Sequence, residues 1–194
     1  MKTAKRISLI LAALLGVVAT GFGQGSTFFF YSAPQSWIGQ GESFTAAAAN
    51  GFMITAQRNA DNSVSINIAS PTRYWSIDFA AAGDVPLTPG QYNNATIWPT
   101  QGPSSPGMNF AGNGRTDSSL LGYFNVLAIE FGAGNAINRF DADFLQYDEG
   151  QPSAWNQGSI RFDGFAPVPE PGTIALMAAG VLALFAMNWR RKAR

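Results

Sequence analysis

Between residues 52 and 69 the chain alternates. Phe52, Ile54 and Ala56 fall on one parity, and Met53, Thr55 and Gln57 on the other. After the polar cluster Asn59-Ala60-Asp61-Asn62, Val64, Ile66 and Ile68 alternate with Ser63, Ser65 and Asn67. A period of two sends successive side chains to opposite faces of a strand, so 52–69 predicts a β-hairpin with its turn at 59–62. Trp75, Ile77 and Phe79 form the face of another strand. From Tyr123 to Phe131 both parities are apolar, which predicts a central strand covered on both sides. Gly132-Ala133-Gly134-Asn135 is its turn. The return strand, Ile137 to Tyr147, is expected to bury Phe140, Ala142 and Phe144 and to face Arg139, Asp141 and Asp143 outward. Ser159-Ile160-Arg161-Phe162 closes the series, and 27–32 and 91–98 supply further strands.

Roughly eight short strands, with no internal repeat and no helical heptads, predict an all-β fold: a single antiparallel β-sandwich or jelly-roll-like domain. Ala46 to Ala49 suggests one helical turn, stopped by Asn50-Gly51. Pro99, Gly102, Pro103, Pro106, Gly107, Gly112 and Gly114 mark 99–119 as one long loop, with Phe110 packing back on the domain.

The two ends have a different pattern. Lys2, Lys5 and Arg6 precede an apolar run from Ile7 to Ala19, and Gly21 and Gly23 follow. That order predicts a secretory signal peptide over 1–23, read by signal peptidase, with an uncleaved N-terminal anchor as the alternative. The run is short for a membrane span, which needs about 20 residues. At the other end, Pro167-Val168-Pro169-Glu170-Pro171-Gly172 is a stiff linker. Ile174 to Met187 then carries no charge, and Trp189, Arg190, Arg191, Lys192 and Arg194 follow. About 18 apolar residues make roughly 27 Å of helix, enough to span a bilayer. The basic cluster keeps the tail cytoplasmic and the middle of the chain on the far side. The division is therefore signal peptide 1–23, exported domain 24–166 and C-terminal signal 167–194.

Pro169, Glu170 and Pro171, one short span and the basic stop formed by Arg190, Arg191, Lys192 and Arg194 together resemble the PEP-CTERM sorting signal. The resemblance covers only 168–194. It implies recognition by exosortase, a membrane-embedded cysteine transpeptidase or protease. It also implies export to the surface or exterior of a Gram-negative bacterium that makes exopolysaccharide, often in biofilms. Read without that motif, the same segment is a plain, permanent membrane anchor.

The middle is also similar to a small secreted β domain found on tagged bacterial exoproteins. The stretches that carry the similarity are Trp75-Ser76-Ile77-Asp78-Phe79, Leu87-Thr88-Pro89-Gly90-Gln91-Tyr92, Gly112-Asn113-Gly114-Arg115, Asp141-Ala142-Asp143-Phe144 and Gly158-Ser159-Ile160-Arg161-Phe162. That domain's pattern places one Cys shortly after Gly-Arg and another just before Glu-Gly. Here those places hold Asp117 and Asp148. The resemblance thus implies that any staple made by such cysteines is missing from this chain. It brings no biochemical activity.

Composition narrows the chemistry. The 194 residues include no Cys and no His. Disulfides, thiolate or imidazole zinc sites, thiol nucleophiles and a Ser-His-Asp triad are excluded. The formal net charge is zero, but its distribution is uneven. Between 24 and 166 the only basic residues are Arg58, Arg73, Arg115, Arg139 and Arg161, against eleven acids. An acidic domain without Lys is a poor nucleic-acid binder.

Candidate chemistry rests on three groups. Asp141 and Asp143 share a strand face and lie near Asp148 and Glu149. They fit a solvated sheet face, a weak calcium site or a glycosidase carboxylate pair. No other cofactor is expected. Trp98 and Trp155, each near a Pro, fit either core packing or stacking on sugar rings. Arg115, in Gly112-Asn113-Gly114-Arg115, fits a structural ion pair or a carboxylate-binding site for an acidic polysaccharide. The expected function is a non-enzymatic cell-surface or extracellular-matrix protein associated with exopolysaccharide. The alternatives are a secreted glycan-active enzyme using acidic residues and a permanently anchored periplasmic domain.

Overall fold

In the computed structural model residues 25–164 are described. The expected signal peptide, the Pro-Glu-Pro motif, the C-terminal span and its basic tail lie outside them. Alternating sequence becomes ten strands: β1 (Thr27–Ser32), β2 (Ser43–Ala47), β3 (Met53–Arg58), β4 (Val64–Ala69), β5 (Tyr74–Ala80), β6 (Gly90–Ile97), β7 (Gly107–Gly112), β8 (Leu120–Phe131), β9 (Ile137–Asp148) and β10 (Trp155–Asp163). Among the described residues helix is confined to short 3₁₀ turns at Ala48–Asn50 and Ala82–Asp84. Among the described residues no helix is long and apolar enough to cross a membrane.

The all-β expectation holds, but the sandwich becomes one continuous sheet. Its order is β2-β1-β10-β9-β8-β6-β7-β5-β4-β3. The strand that joins the two halves is β6. Its first part runs antiparallel to β8, from Gly90↔Val126 to Ala95↔Gly122. Past an irregularity between Tyr92 and Ala95, Thr96 and Ile97 pair in parallel with Gly107 and Met108 of β7. Asn94, at φ 56°, takes up the left-handed backbone of that bend, which short polar side chains tolerate. At the far edge β3 returns to the β8–β9 turn, where Gln57 bridges Ala136 and Arg58 N–H donates to Asn135 O at 2.9 Å. The sheet thus almost closes into a barrel, which protects most of its edges.

The interior is aromatic. Phe28, Phe30, Trp75, Phe79, Phe110, Phe124 and Phe140 are all fully buried. Phe30 meets Trp75 at 4.7 Å between ring centroids, and Trp75 stacks on Phe110 at 5.3 Å. Val64, Ile66, Ile68, Ile77, Ala142 and Phe144 join them from the faces that alternation assigns.

Three local expectations change. The 99–119 loop contains a strand, β7, whose Phe110 is core, as expected, but as part of the sheet. Ala46 and Ala47 lie in β2, because pairing of Phe28 with Ala46 and Phe30 with Phe44 outweighs the helix preference of alanine. In β8, a register shift between Val126 and Ala128 changes which parity faces in. Phe124 and Val126 are buried before it, whereas Ile129 and Phe131 pack against the core after it. Tyr123 and Leu127, expected to be covered, are 42% and 47% exposed.

Candidate functional site: an aromatic sheet face

The outer face of β8, β9, β10 and β1 carries side chains that alternation leaves in solvent. Register aligns them in rows. Leu121, Tyr147 and Trp155 form the first; Tyr123, Leu145, Gln157 and Tyr31 the second; Asn125, Asp143, Ser159 and Phe29 the third. Phe29 and Tyr31 are each 38% exposed and Leu121 is 46% exposed. Leu145 is buried in the middle of its row.

The rings are ordered by one another. Tyr31 meets Trp155 edge-on at 5.2 Å and lies 5.9 Å from Phe29. Its hydroxyl donates to Gln157 Oε1 at 2.8 Å. Edge-to-face contact and one hydrogen bond leave Tyr31 little rotamer freedom, so the surface is organised in advance. Ser43 and Thr45 of β2 continue the rows with hydroxyl groups.

From the third row onward the face turns ionic. Arg139 donates to Asp141 Oδ2 through Nε at 3.0 Å and Nη2 at 2.7 Å. Arg161 Nη2 donates to Asp143 Oδ1 at 2.7 Å, and Nη1 to Ala142 O and Ile160 O. Hydrogen bonding to Asp141, helped by its charge, raises the Arg139 guanidinium further. Glu130, Arg139, Asp141, Arg161 and Asp163 rim a depression of about 550 Å³ at this end.

The predicted site residues separate. Asp141 and Asp143 do share the outer face, but each carboxylate is held by an arginine. Among the described residues no group of three or more His, Cys, Asp or Glu is placed to hold a metal ion. Trp155 belongs to the aromatic face. Trp98 does not: its Nε1 donates to Asp61 Oδ2 at 3.1 Å, fastening the turn that follows β6 to the β3–β4 turn. Burial works against ionised Asp61, yet hydrogen bonds from Ser63 and Trp98 outweigh it and hold that carboxyl below its usual range. Arg115 makes a structural tie of another kind than an ion pair. Its Nε donates to Ile38 O at 2.8 Å, and its guanidinium lies 5.8 Å from the Trp75 ring.

Sequence reasoning missed Phe29, Tyr31, Leu121, Tyr123 and Tyr147. A signal existed in β1, Thr-Phe-Phe-Phe-Tyr-Ser, where aromatic residues on both parities require one set to face outward.

Residues 167–192 match the family model of the PEP-CTERM protein-sorting motif. The chain therefore carries a PEP-CTERM sorting signal, and Pro169, Glu170 and Pro171 lie within it. The motif implies exosortase as the processing partner, and export to the cell surface or beyond. Neither a curated protein nor a solved structure matches the chain.

Proposed function

We propose that the exported domain is a non-enzymatic module that associates with polysaccharide at the cell surface or in the extracellular matrix. Its platform is the outer face of β8, β9, β10 and β1. The observation that carries this reading is the Tyr31–Trp155 pair, ordered edge-to-face beside half-exposed Phe29 and Tyr123. An exposed cluster of rings on a water-soluble domain marks a contact surface. Sugar rings present flat C–H faces that stack on aromatic rings, while hydroxyls take hydrogen bonds from amide and hydroxyl side chains such as Gln157, Asn125 and Ser159. The acidic character of the domain favours neutral glycans over polyanions.

Affinity electrophoresis through gels containing the host exopolysaccharide tests this. Tyr31→Ala and Tyr123→Ala should each weaken retardation about tenfold, a loss of about 1.4 kcal/mol. Trp98→Ala, away from the face, should leave it unchanged. Unretarded wild-type protein removes the reading. Release of reducing ends, lost on Asp141→Asn or Asp143→Asn, would replace it with a glycan-active enzyme. The mature protein should lack the segment after the Pro-Glu-Pro motif. Arg194 retained in the intact mass would make the tail a permanent anchor.

A further inference from the structure

Asp117 and Asp148 are the two most buried carboxyls that no arginine approaches as a partner, at 5% and 2% exposure. They come from different places: Asp117 from the segment between β7 and β8, Asp148 from the end of β9. Gln146, which binds Asp117, lies two residues before Asp148 on the same buried face of β9, so the two carboxyls are neighbours. Asp148 is supplied with donors. Its Oδ2 accepts from Ser36 Oγ at 2.7 Å and Ile38 N–H at 3.2 Å, and its Oδ1 from Asn156 Nδ2 at 2.5 Å. Asp117 is not. Gln146 Nε2 donates to its Oδ2 at 2.9 Å, and its buried Oδ1 receives no donor.

An orphaned oxygen beside a second carboxyl has a simple resolution. If Asp117 carries a proton on Oδ1, that oxygen becomes a donor to Asp148 and the unsatisfied atom disappears. Asp148 already accepts from Ser36, Ile38 and Asn156, which fixes its carboxyl as the acceptor for that proton. We propose that Asp117 and Asp148 share one proton and so form a pH-released clasp. The clasp fastens the β7–β8 segment, the end of β9, the start of β10 and the turn after β1 at one end of the barrel.

The surroundings agree. Burial, reinforced by the adjacent Asp148 and by Glu149, pushes the Asp117 carboxyl up to about 8. The charged groups that face it are thus both acidic. Arg115, two residues earlier, turns its guanidinium to the Ile38 carbonyl. From β10 and the turn after β1 come only neutral groups, Asn156, Ser36 and the Ile38 amide. Glu149 is held in place by Ser118 and Ser119, and their hydrogen bonds keep it below its ordinary value.

The native chain therefore retains a proton that the unfolded chain releases above about pH 4, so stability falls as pH rises towards 8 and then levels. Above that point two buried charges confront each other and the fastening loosens. Trp155 is paired with Tyr147 and sits between Ala154 and Asn156, so its fluorescence reports on this end of the barrel. The clasp does not depend on the glycan reading.

Thermal melts of the exported chain, taken at steps from about pH 5 to about pH 9, provide the test. Wild type should lose melting temperature up to about pH 8 and level beyond it, with part of the loss falling above about pH 7. Asp117→Asn retains a donor to Asp148 and an acceptor for Gln146 without a titrating proton. It should abolish the loss above neutrality and leave Trp155 emission constant. An undiminished loss in Asp117→Asn overturns the proposal. Should that variant not fold, carboxyl ¹³C titration of wild type decides. An Asp117 resonance that is protonated at neutral pH supports the clasp, and a midpoint near the ordinary aspartate value of about 4 overturns it.

Discussion

Gly112 lies flat against the indole of Trp75. A Cβ built on Gly112 would fall 2.0 Å from Trp75 Cε3 and 2.7 Å from the Tyr74 carbonyl oxygen. The two residues are paired across β5 and β7, and the indole is locked between Phe30 and Phe110. It cannot withdraw without disturbing the centre of the core. Gly112→Ala should therefore destabilise the domain by about 1–3 kcal/mol or more, measured by urea denaturation. Gly114→Ala is a control for backbone strain alone, since its Cβ would meet nothing but its φ is 78°.

Gln146 supports the same strand from the opposite wall. β6 ends at Ile97, so β7 loses that neighbour beyond Met108. The fully buried Gln146 takes its place, accepting from Phe110 N–H at 2.8 Å and donating to Phe110 O at 3.1 Å. Gln146→Leu fills similar space but leaves a backbone donor and acceptor without partners. A loss of at least about 2 kcal/mol in equilibrium unfolding is expected.

A second buried acid gives a separate pH response. Burial pushes Asp78 up to about 6, against the 2.5 Å hydrogen bond from Ser65 Oγ and with help from the charge of Asp61. Its proton is held by the folded chain and lost by the unfolded one between about pH 4 and 6, so stability declines with rising pH in that window. Asp78→Asn should flatten the lower part of the melting-temperature profile and leave the part governed by Asp117 intact.

Calcium provides a test of the ionic end of the face. Arg139 and Arg161 engage Asp141 and Asp143 at 2.7 Å, and bringing a hard cation to either carboxylate would displace an arginine. Millimolar calcium, followed by chelator, should leave the melting temperature unmoved. A rise reversed by chelator would restore the site predicted at these two residues.

Much of the fold was legible as alternation. Val64, Ile66 and Ile68, Trp75, Ile77 and Phe79, and Phe140, Ala142 and Phe144 are buried on the faces their parity assigned. The failures share a cause. β7 begins at Gly107 and ends at Gly112, and glycine at both ends reads as loop. Yet Gly112 is there because an indole occupies the space of a side chain, and that indole is 37 residues earlier in the chain. The outward rings of β1 and β8 were hidden for a related reason. Parity separates two faces without saying which one meets a partner layer.

The chain's sorting signal belongs to sequence alone. A Pro-Glu-Pro motif within 167–192 identifies the sorting signal without reference to any fold, because a receptor reads such a segment as linear chemistry. Strand positions follow from local periodicity, since each side chain's direction depends only on its own backbone. Tertiary structure alone decided which strands met. It joined the two halves through β6, set Tyr31 beside Trp155, and brought Asp117 against Asp148. Those pairings depend on the shape of the enclosed core and on closure across long loops, quantities spread over the whole chain.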